Sequence, residues 1–151
     1  MHLDRYAFIA NTNKAHFDYE FESDGPKGVI KKVVRFSEVD DDGLYNLAFG
    51  DLDENTGEIS DLIATNNADT EKVLVTIAVI ADDFTKKHPG TIIAIQGSTK
   101  SRTRLYQINI AKYWSEINKL FVVLGLLNET WESFEKGNNY EAFAAYRRGR
   151  R

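Results

Sequence analysis

Hydrophobic and acidic residues alternate early in the chain. Three aromatic and three acidic residues take turns over residues 17–22. A period of two places the aromatic side chains on one face of a strand and the carboxylates on the other. Segments 29–36 and 44–49 are also typical of strands, and the clusters at 23–28 and 40–43 are rich in turn-forming residues. This pattern predicts an antiparallel β-meander with one buried and one solvated face.

A weaker strand is predicted near residues 59–64, and the periodicity then changes to that of a helix. Asn67 is predicted as the N-cap, since asparagine is favoured at that position. Pro89 and the glycine after it mark the end of the helix. The apolar stripe consists of Val73, Ile77, Ile80, Ala81 and Phe84.

A short apolar strand at 91–96 precedes a second predicted helix. Segments 121–127 and 131–134 then predict a late β-hairpin. Residues 140–146 fit a strand or a short helix equally well, and 147–151 are predicted to be a frayed basic tail. The stripe of the second helix consists of Tyr106, Ile110, Tyr113, Trp114, Ile117 and Leu120.

These elements predict the α+β class, with an N-terminal antiparallel β-meander, two amphipathic helices packed on one sheet face and a late β-hairpin. The 151 residues are 42% hydrophobic, which excludes disorder over the whole chain. No linker is evident, so residues 1–146 are predicted to form one domain.

Composition narrows the functional classes further. Without cysteine, the chain has no disulfide, thiolate metal site or cysteine nucleophile. No secretory signal or apolar run long enough to cross a bilayer is evident, so a cytoplasmic protein without a membrane partner is expected. The net charge is −4, with acidic residues concentrated in the first half and basic residues in the second. This asymmetry favours either an anion-binding face or two halves that interleave in the fold.

The strongest candidate site is the predicted strand-to-helix segment 97–104. A helix N-terminus attracts anions through its free N–H groups and its dipole. Glycine permits close approach of a ligand, hydroxyl groups donate hydrogen bonds, and arginine can bind phosphate through two bonds. The predicted anion-binding residues are Gly97, Ser98, Thr99, Lys100, Ser101, Arg102, Arg104 and Tyr106.

An alternative interpretation of the same segment is purely structural. A phosphate-binding Walker loop is excluded, because Ile92 stands where its first glycine is required. The alternative is a capped helix start whose basic residues form salt bridges to Glu20, Glu22 or the acidic cluster at Asp40. Both interpretations remain open from the sequence.

No metal or cofactor is predicted. Asp51, Asp53 and Asn55 resemble the start of a calcium loop, but Thr56 and Leu62 stand where that loop needs glycine and glutamate. A turn between strands is therefore favoured. The three histidines belong to no metal-binding or catalytic motif.

Four segments in order resemble a family of small uncharacterised bacterial proteins, and the third of them has the form GST-x-x-RTRLY. The resemblance implies a bacterial, cytoplasmic, single-domain protein. It supplies no activity and no catalytic residues. The segments are Leu44–Asp51, Thr65–Val73, Gly97–Tyr106 and Phe134–Gly137.

Three functional hypotheses follow. The first is a phosphate- or nucleic-acid-binding module that uses the segment 97–104. The second is a metal-independent ribonuclease toxin of a toxin–antitoxin pair, with Arg102 or Arg104 stabilising the transition state and Tyr106 or a histidine moving protons. The third is a protein-interaction or antitoxin-like subunit, whose acidic half shields a basic partner or whose sheet edge pairs with another chain.

Overall fold

The computed structural model of the chain describes residues 4–12, 16–40, 42–60, 67–97 and 99–149. In this part of the chain, nine strands form one sheet and three helices pack against one of its faces. The predicted α+β class is confirmed.

The first half of the sheet is the predicted antiparallel meander. Strand β1 (Ile9–Thr12) pairs with β2 (His16–Gly25), which pairs with β3 (Gly28–Glu38), which pairs with β4 (Leu44–Leu52). A short strand, β5 (Ile59–Ser60), pairs with the end of β4. The weak strand predicted near residue 59 therefore exists at its start, and its remainder lies outside the described residues.

The register of the meander defines the face that the helices cover. Tyr19 lies opposite Val34, and Val34 lies opposite Phe49. Directly opposed residues share a face, and all three side chains are buried. Lys32 lies opposite Asp51 on this same face, so a charged pair interrupts an otherwise apolar surface.

The second half of the sheet depends on a crossover. Helix α1 (Thr70–Lys87) connects β4 to β6 (Ile92–Ile95), which lies parallel to β4. Such a parallel pair needs a long connection, which the helix provides. The sheet continues through β9 (Ala142–Arg147), β7 (Phe121–Leu127) and β8 (Thr130–Ser133), all antiparallel. The pairing of β7 with β8 confirms the predicted late hairpin.

The end of the chain is more ordered than its basic composition predicted. The segment 140–146, left open by the sequence, contributes strand β9. Arg147, expected to begin a frayed tail, is the last residue of this strand and forms an ion pair with Asp82 on α1. Arg148 donates hydrogen bonds to the backbone and side-chain oxygens of Asn118, at 2.8 and 2.9 Å.

Helix α1 has the predicted apolar stripe, but its N-cap differs. Asp69 precedes the first helical residue, whereas Asn67 is buried against the β2–β3 turn. The Asn67 amide donates to the Ser23 hydroxyl (3.1 Å) and the Gly28 carbonyl (2.8 Å), and its oxygen accepts from the Lys27 N–H (2.7 Å). Asn67 therefore holds the hairpin turn instead of capping the helix.

The predicted second helix consists of two helices. Helix α2 (Lys100–Lys112) is followed by Tyr113, whose φ of −104° and ψ of 24° depart from helical values, and α3 (Trp114–Leu120) begins at the next residue. The indole of Trp114 packs on the ring of Phe134, with 4.9 Å between centroids. The apolar stripe is thus divided between two helices, both of which contribute side chains to the core.

The phenol of Tyr19 links the sheet to α1 and makes stability sensitive to alkaline pH. Tyr19 is 3% exposed, and its hydroxyl donates to Asp83 at 3.0 Å. Burial, followed by this bond, raises the pKa of Tyr19 above its ordinary value of 10.0. A group whose pKa is higher in the folded than in the unfolded state contributes to the free energy of unfolding. That contribution is fully present below the unfolded-state pKa and is lost as the pH rises through the folded-state pKa.

We therefore expect the free energy of unfolding to fall more steeply above about pH 10 in the native chain than in Tyr19→Phe. Urea unfolding at several pH values between 8 and 11.5 measures the two slopes, with the exposed Tyr146→Phe as the control. Parallel curves for Tyr19→Phe and the native chain would contradict the assignment.

Candidate functional site: the cleft between α1 and α2

The junction between β6 and α2 is closed by hydrogen bonds of its own. Thr99 is the N-cap of α2, and its hydroxyl accepts from the Arg102 N–H at 3.2 Å. The Thr103 hydroxyl accepts from the Gly97 N–H at 3.1 Å and donates to the Thr99 carbonyl at 3.2 Å. Two of the N–H groups at this junction are therefore occupied within the protein.

Gly97 has a packing role in this junction. A Cβ atom at residue 97 would lie 2.6 Å from both the Arg102 Cβ and the Thr103 nitrogen. The backbone thus approaches the first turn of α2 more closely than any other residue type allows. This observation explains the glycine without a ligand. Ser98, also predicted to bind an anion, lies outside the described residues.

The three basic residues of the predicted site do not point in one direction. Residues four apart share a helix face, whereas a residue two positions away lies on the other side. Lys100 and Arg104 are both exposed, and the Arg104 guanidinium donates to the side chain of Asn139. Arg102 is half-buried and lines a cleft between α2 and α1.

This cleft, called here the α1–α2 cleft, has a volume of about 240 Å³. The first turns of both helices form its walls, and the sheet forms its floor. Its polar side chains include Lys32, Asp69, Ser101 and Arg102, and its lining is completed by Phe49, Thr70, Val73, Leu74, Leu105 and Tyr106. The structure thus brings together three of the predicted residues, namely Ser101, Arg102 and Tyr106.

Lys32 is a cation on the floor of the cleft. The residue is only 2% exposed, because β3 directs its side chain to the helix-covered face. Its ammonium group forms an ion pair with Asp51 and lies 5.9 Å from the centre of the Phe49 ring. A buried charge is costly unless it is paired, so Asp51 is the counter-ion that makes this position tenable.

Asp69 supplies the carboxylate of the cleft wall. Its Oδ2 accepts hydrogen bonds from the Tyr6 hydroxyl at 2.6 Å and the Ser23 hydroxyl at 2.5 Å. Burial, together with the bond to Asp69, raises the pKa of Tyr6. The carboxylate also stands at the N-terminus of α1, where negative charge is favoured. Two hydroxyls and a helix terminus therefore engage the Asp69 carboxylate.

The structural interpretation of segment 97–104 predicted salt bridges from its basic residues to Glu20 or Glu22, and the structure places these two glutamates elsewhere. Glu20 and Glu22 alternate with the buried Tyr19 and Phe21, so they lie on the sheet face opposite the helices. Arg102, on the helix-covered side, shares the cleft with Asp69 instead. The salt bridges proposed to Glu20 and Glu22 therefore do not account for Arg102.

The acidic segment after β4 is a turn, as predicted. The Asp53 carboxylate accepts from the Asn55 N–H at 2.9 Å, and Asp51 forms an ion pair with Lys32. Across the described ranges, no group of three or more His, Cys, Asp or Glu residues has the geometry to hold a metal ion.

The model of a protein family described as "Family of unknown function (DUF6934)" matches residues 2–148. The chain belongs to this family. The match covers every strand and helix of the DUF6934 fold described above. Neither the curated proteins nor the solved structures contain a match to the chain. The helices in the described part of this DUF6934 protein include none long and apolar enough to cross a membrane.

Lys32 and Asp69 line the candidate site of this DUF6934 chain, and sequence reasoning missed both. Lys32 carries a detectable signal, because it replaces an apolar residue in the alternation Ile30, Lys32, Val34 on β3. A charged residue at a buried position of a strand indicates an ion-pair partner or a ligand nearby. Asp69 carries a weaker signal, since an acidic residue near a helix start has a sufficient explanation in the dipole.

Proposed function

We propose that the chain binds a phosphate-bearing ligand in the α1–α2 cleft, with Arg102 as the main contact. The observation that carries this proposal is the position of Arg102, which lies in the first turn of α2 and lines the cleft above the buried Lys32. The start of α2 contributes partial positive charge, and a guanidinium can hold two phosphate oxygens at once. The Asp69 carboxylate at the start of α1 is engaged by the Tyr6 and Ser23 hydroxyls.

The roles of the remaining side chains follow from their places in the cleft. Ser101 offers a hydroxyl in the first turn of α2, and Lys32 adds positive potential from below while its ion pair with Asp51 is kept. A volume of about 240 Å³ accepts one phosphate group with a small substituent. An RNA or DNA strand would place one of its phosphate groups in the cleft, and the remainder of the strand would lie outside it.

Thermal melting with several phosphate sources tests the proposal. The purified chain is melted with inorganic phosphate, mononucleotides, short RNA and single-stranded DNA, each at two salt concentrations. A ligand at a hundred times its Kd adds about 2.7 kcal/mol and raises the melting temperature. A preference for RNA or DNA that weakens with salt identifies a polymer, whereas a response to mononucleotides alone identifies a small molecule.

Two variants locate the site. Arg102→Ala is expected to abolish the shift, whereas Lys100→Ala, which removes an exposed charge two residues away, should retain it. The melting temperature of each variant without ligand is the reference for its own shift. A shift that survives in Arg102→Ala, or one that only Lys100→Ala abolishes, would contradict a site in the cleft, as would the absence of any shift.

The ribonuclease hypothesis retains one specific observation, since Arg102 and Tyr106 line the same cleft. Arg102 would stabilise charge on the phosphorane and Tyr106 would transfer a proton. Arg104, the other candidate for this role, contacts Asn139 instead. Incubation of labelled RNA with the chain in a chelator would show cleavage that Tyr106→Phe removes. Intact RNA under these conditions leaves binding as the function.

A further inference from the structure

A second cavity lies directly beside the α1–α2 cleft. It is lined by residues of α1, α2, α3 and the sheet and has a volume of about 110 Å³. Its lining is almost entirely apolar, with Ile77, Ile93, Ile110, Ile117, Val123 and Phe143 among its walls. Protein interiors are otherwise close-packed, so an apolar cavity of this size calls for an explanation.

The cavity and the cleft share three side chains. Phe49, Leu74 and Tyr106 line both spaces. One side of this shared boundary carries the charged side chains Arg102, Lys32 and Asp69, and the other side is apolar. A molecule bound at the boundary would therefore meet a charged environment at one end and a hydrophobic environment at the other.

The second helix makes the cavity accessible. The buried residues of α2 are Thr103 and Gln107, while Tyr106 and Ile110 are only half-buried although they face the core. Tyr113 and Ile117 are half-buried in the same way. Partly exposed apolar side chains around an open cavity are typical of a ligand pocket, whereas a closed core would bury them.

We propose that the ligand of this pocket is a small amphipathic anion, a phosphate monoester whose organic group is one aromatic ring or a branched aliphatic group of similar size. The inference rests on the proposed function, because it places the phosphate at Arg102. The ring enters the apolar cavity between Phe49, Leu74 and Tyr106. An engineered apolar cavity of roughly 150 Å³ holds benzene, so a cavity slightly smaller than this sets one ring as the upper limit.

Three probes separate this inference from the proposed function. Isothermal titration compares inorganic phosphate, phenyl phosphate and phenol on the full chain. Phenyl phosphate is expected to bind at least about tenfold more tightly than inorganic phosphate, because a single hydrophobic group in a fitted pocket contributes that much. Equal affinity for the two phosphates overturns this inference alone. If neither inorganic phosphate nor phenyl phosphate binds, the proposed function is overturned as well.

Phenol tests whether both ends of the ligand matter. If phenol binds as tightly as phenyl phosphate, the cavity is a simple apolar site and the amphipathic ligand is wrong. A decyl phosphate should bind no better than inorganic phosphate, since its chain exceeds the cavity. Tight binding of decyl phosphate would show that the site accepts a long aliphatic chain instead of one ring, and would overturn the inference.

Two variants that change only the cavity complete the test. Ala78→Leu fills space from α1 and should remove the advantage of phenyl phosphate while inorganic phosphate binds as before. Ile110→Ala enlarges the cavity and should shift preference toward naphthyl phosphate. If Ala78→Leu proves unstable in its ligand-free melt, Ile110→Ala decides. An unchanged preference in Ile110→Ala would show that the organic group lies elsewhere.

Discussion

Replacement of Asp51 by asparagine is expected to lower the free energy of unfolding by about 3–5 kcal/mol. Lys32 is almost completely buried on the helix-covered face of β3, and Asp51 is its counter-ion on β4. The amide preserves the size of the side chain and removes its charge. Lys32 is then a buried cation without this partner, which costs free energy.

Chemical denaturation measures this effect directly. A domain of this size has a total stability of about 5–15 kcal/mol, so the loss amounts to a large fraction of it. The double variant Lys32→Met with Asp51→Leu removes both charges and is expected to be far more stable than Asp51→Asn, because well-packed apolar residues replace buried ion pairs at little cost. Equal stability of Asp51→Asn and the native chain would show that the pair is not needed.

A neighbouring ion pair, between β3 and the turn that follows β4, provides a matched control. Lys31 and Glu54 lie 3.3 Å apart with side chains that are 34% and 69% exposed. Glu54→Gln is therefore expected to cost only about 0–1 kcal/mol. The double variant also reports on function: if Lys32 attracts the phosphate, Lys32→Met with Asp51→Leu folds but binds phosphate less tightly than the native chain.

The elements of the fold follow from local patterns. Alternating residues such as Phe17, Tyr19 and Phe21 predict strands because their spacing has a period of two, and the helical stripe containing Ile80 and Phe84 predicts α1 for the corresponding reason. The N-cap could not be chosen in this way. Asn67 and Asp69 are both good capping residues, and only contacts with a distant hairpin turn engage Asn67 elsewhere.

The arrangement of the strands could not be predicted from local patterns. The parallel pairing of β4 with β6 joins segments separated by the whole of α1, and β9 lies between β6 and β7 although it comes last in the chain. Such pairings depend on which apolar faces meet after the helices have packed. For the same reason, residues 140–146 fitted two structures until the position of their neighbours was known.

The candidate site shows the same division. Hydroxyl and basic residues next to a helix start identified Ser101 and Arg102, because that signal lies within one segment. Lys32 and Asp69 reach the cleft through the strand register and the α1 crossover, which bring residues far apart in sequence together. Arg104 was grouped with Arg102 by sequence proximity, whereas the rotation of the helix separates them.

Gly125→Ala is expected to destabilise the chain by about 3 kcal/mol. Gly125 is buried on β7, and a Cβ atom there would lie 2.3–2.5 Å from three atoms of the Tyr140 ring. The ring cannot easily move away. The Tyr140 hydroxyl donates to Glu132 at 2.8 Å and accepts from the Glu135 N–H at 3.0 Å. The Tyr140 backbone N–H donates to Gln107 on α2 at 2.9 Å.

A double-mutant cycle with Tyr140→Ala tests this explanation. If the clash with the ring is the cause, Gly125→Ala costs much less free energy of unfolding once the ring is absent, and the two single effects do not add. Additive effects would place the cost in the strand backbone instead. Gly149→Ala is the control, since its added Cβ would meet its nearest atom at 3.8 Å, an ordinary contact distance. Tyr140 also forms a hydrogen bond with Gln107 on α2. Displacement of Tyr140 in Gly125→Ala should therefore weaken the packing of α2 on the sheet and lower the affinity for phosphate in the α1–α2 cleft.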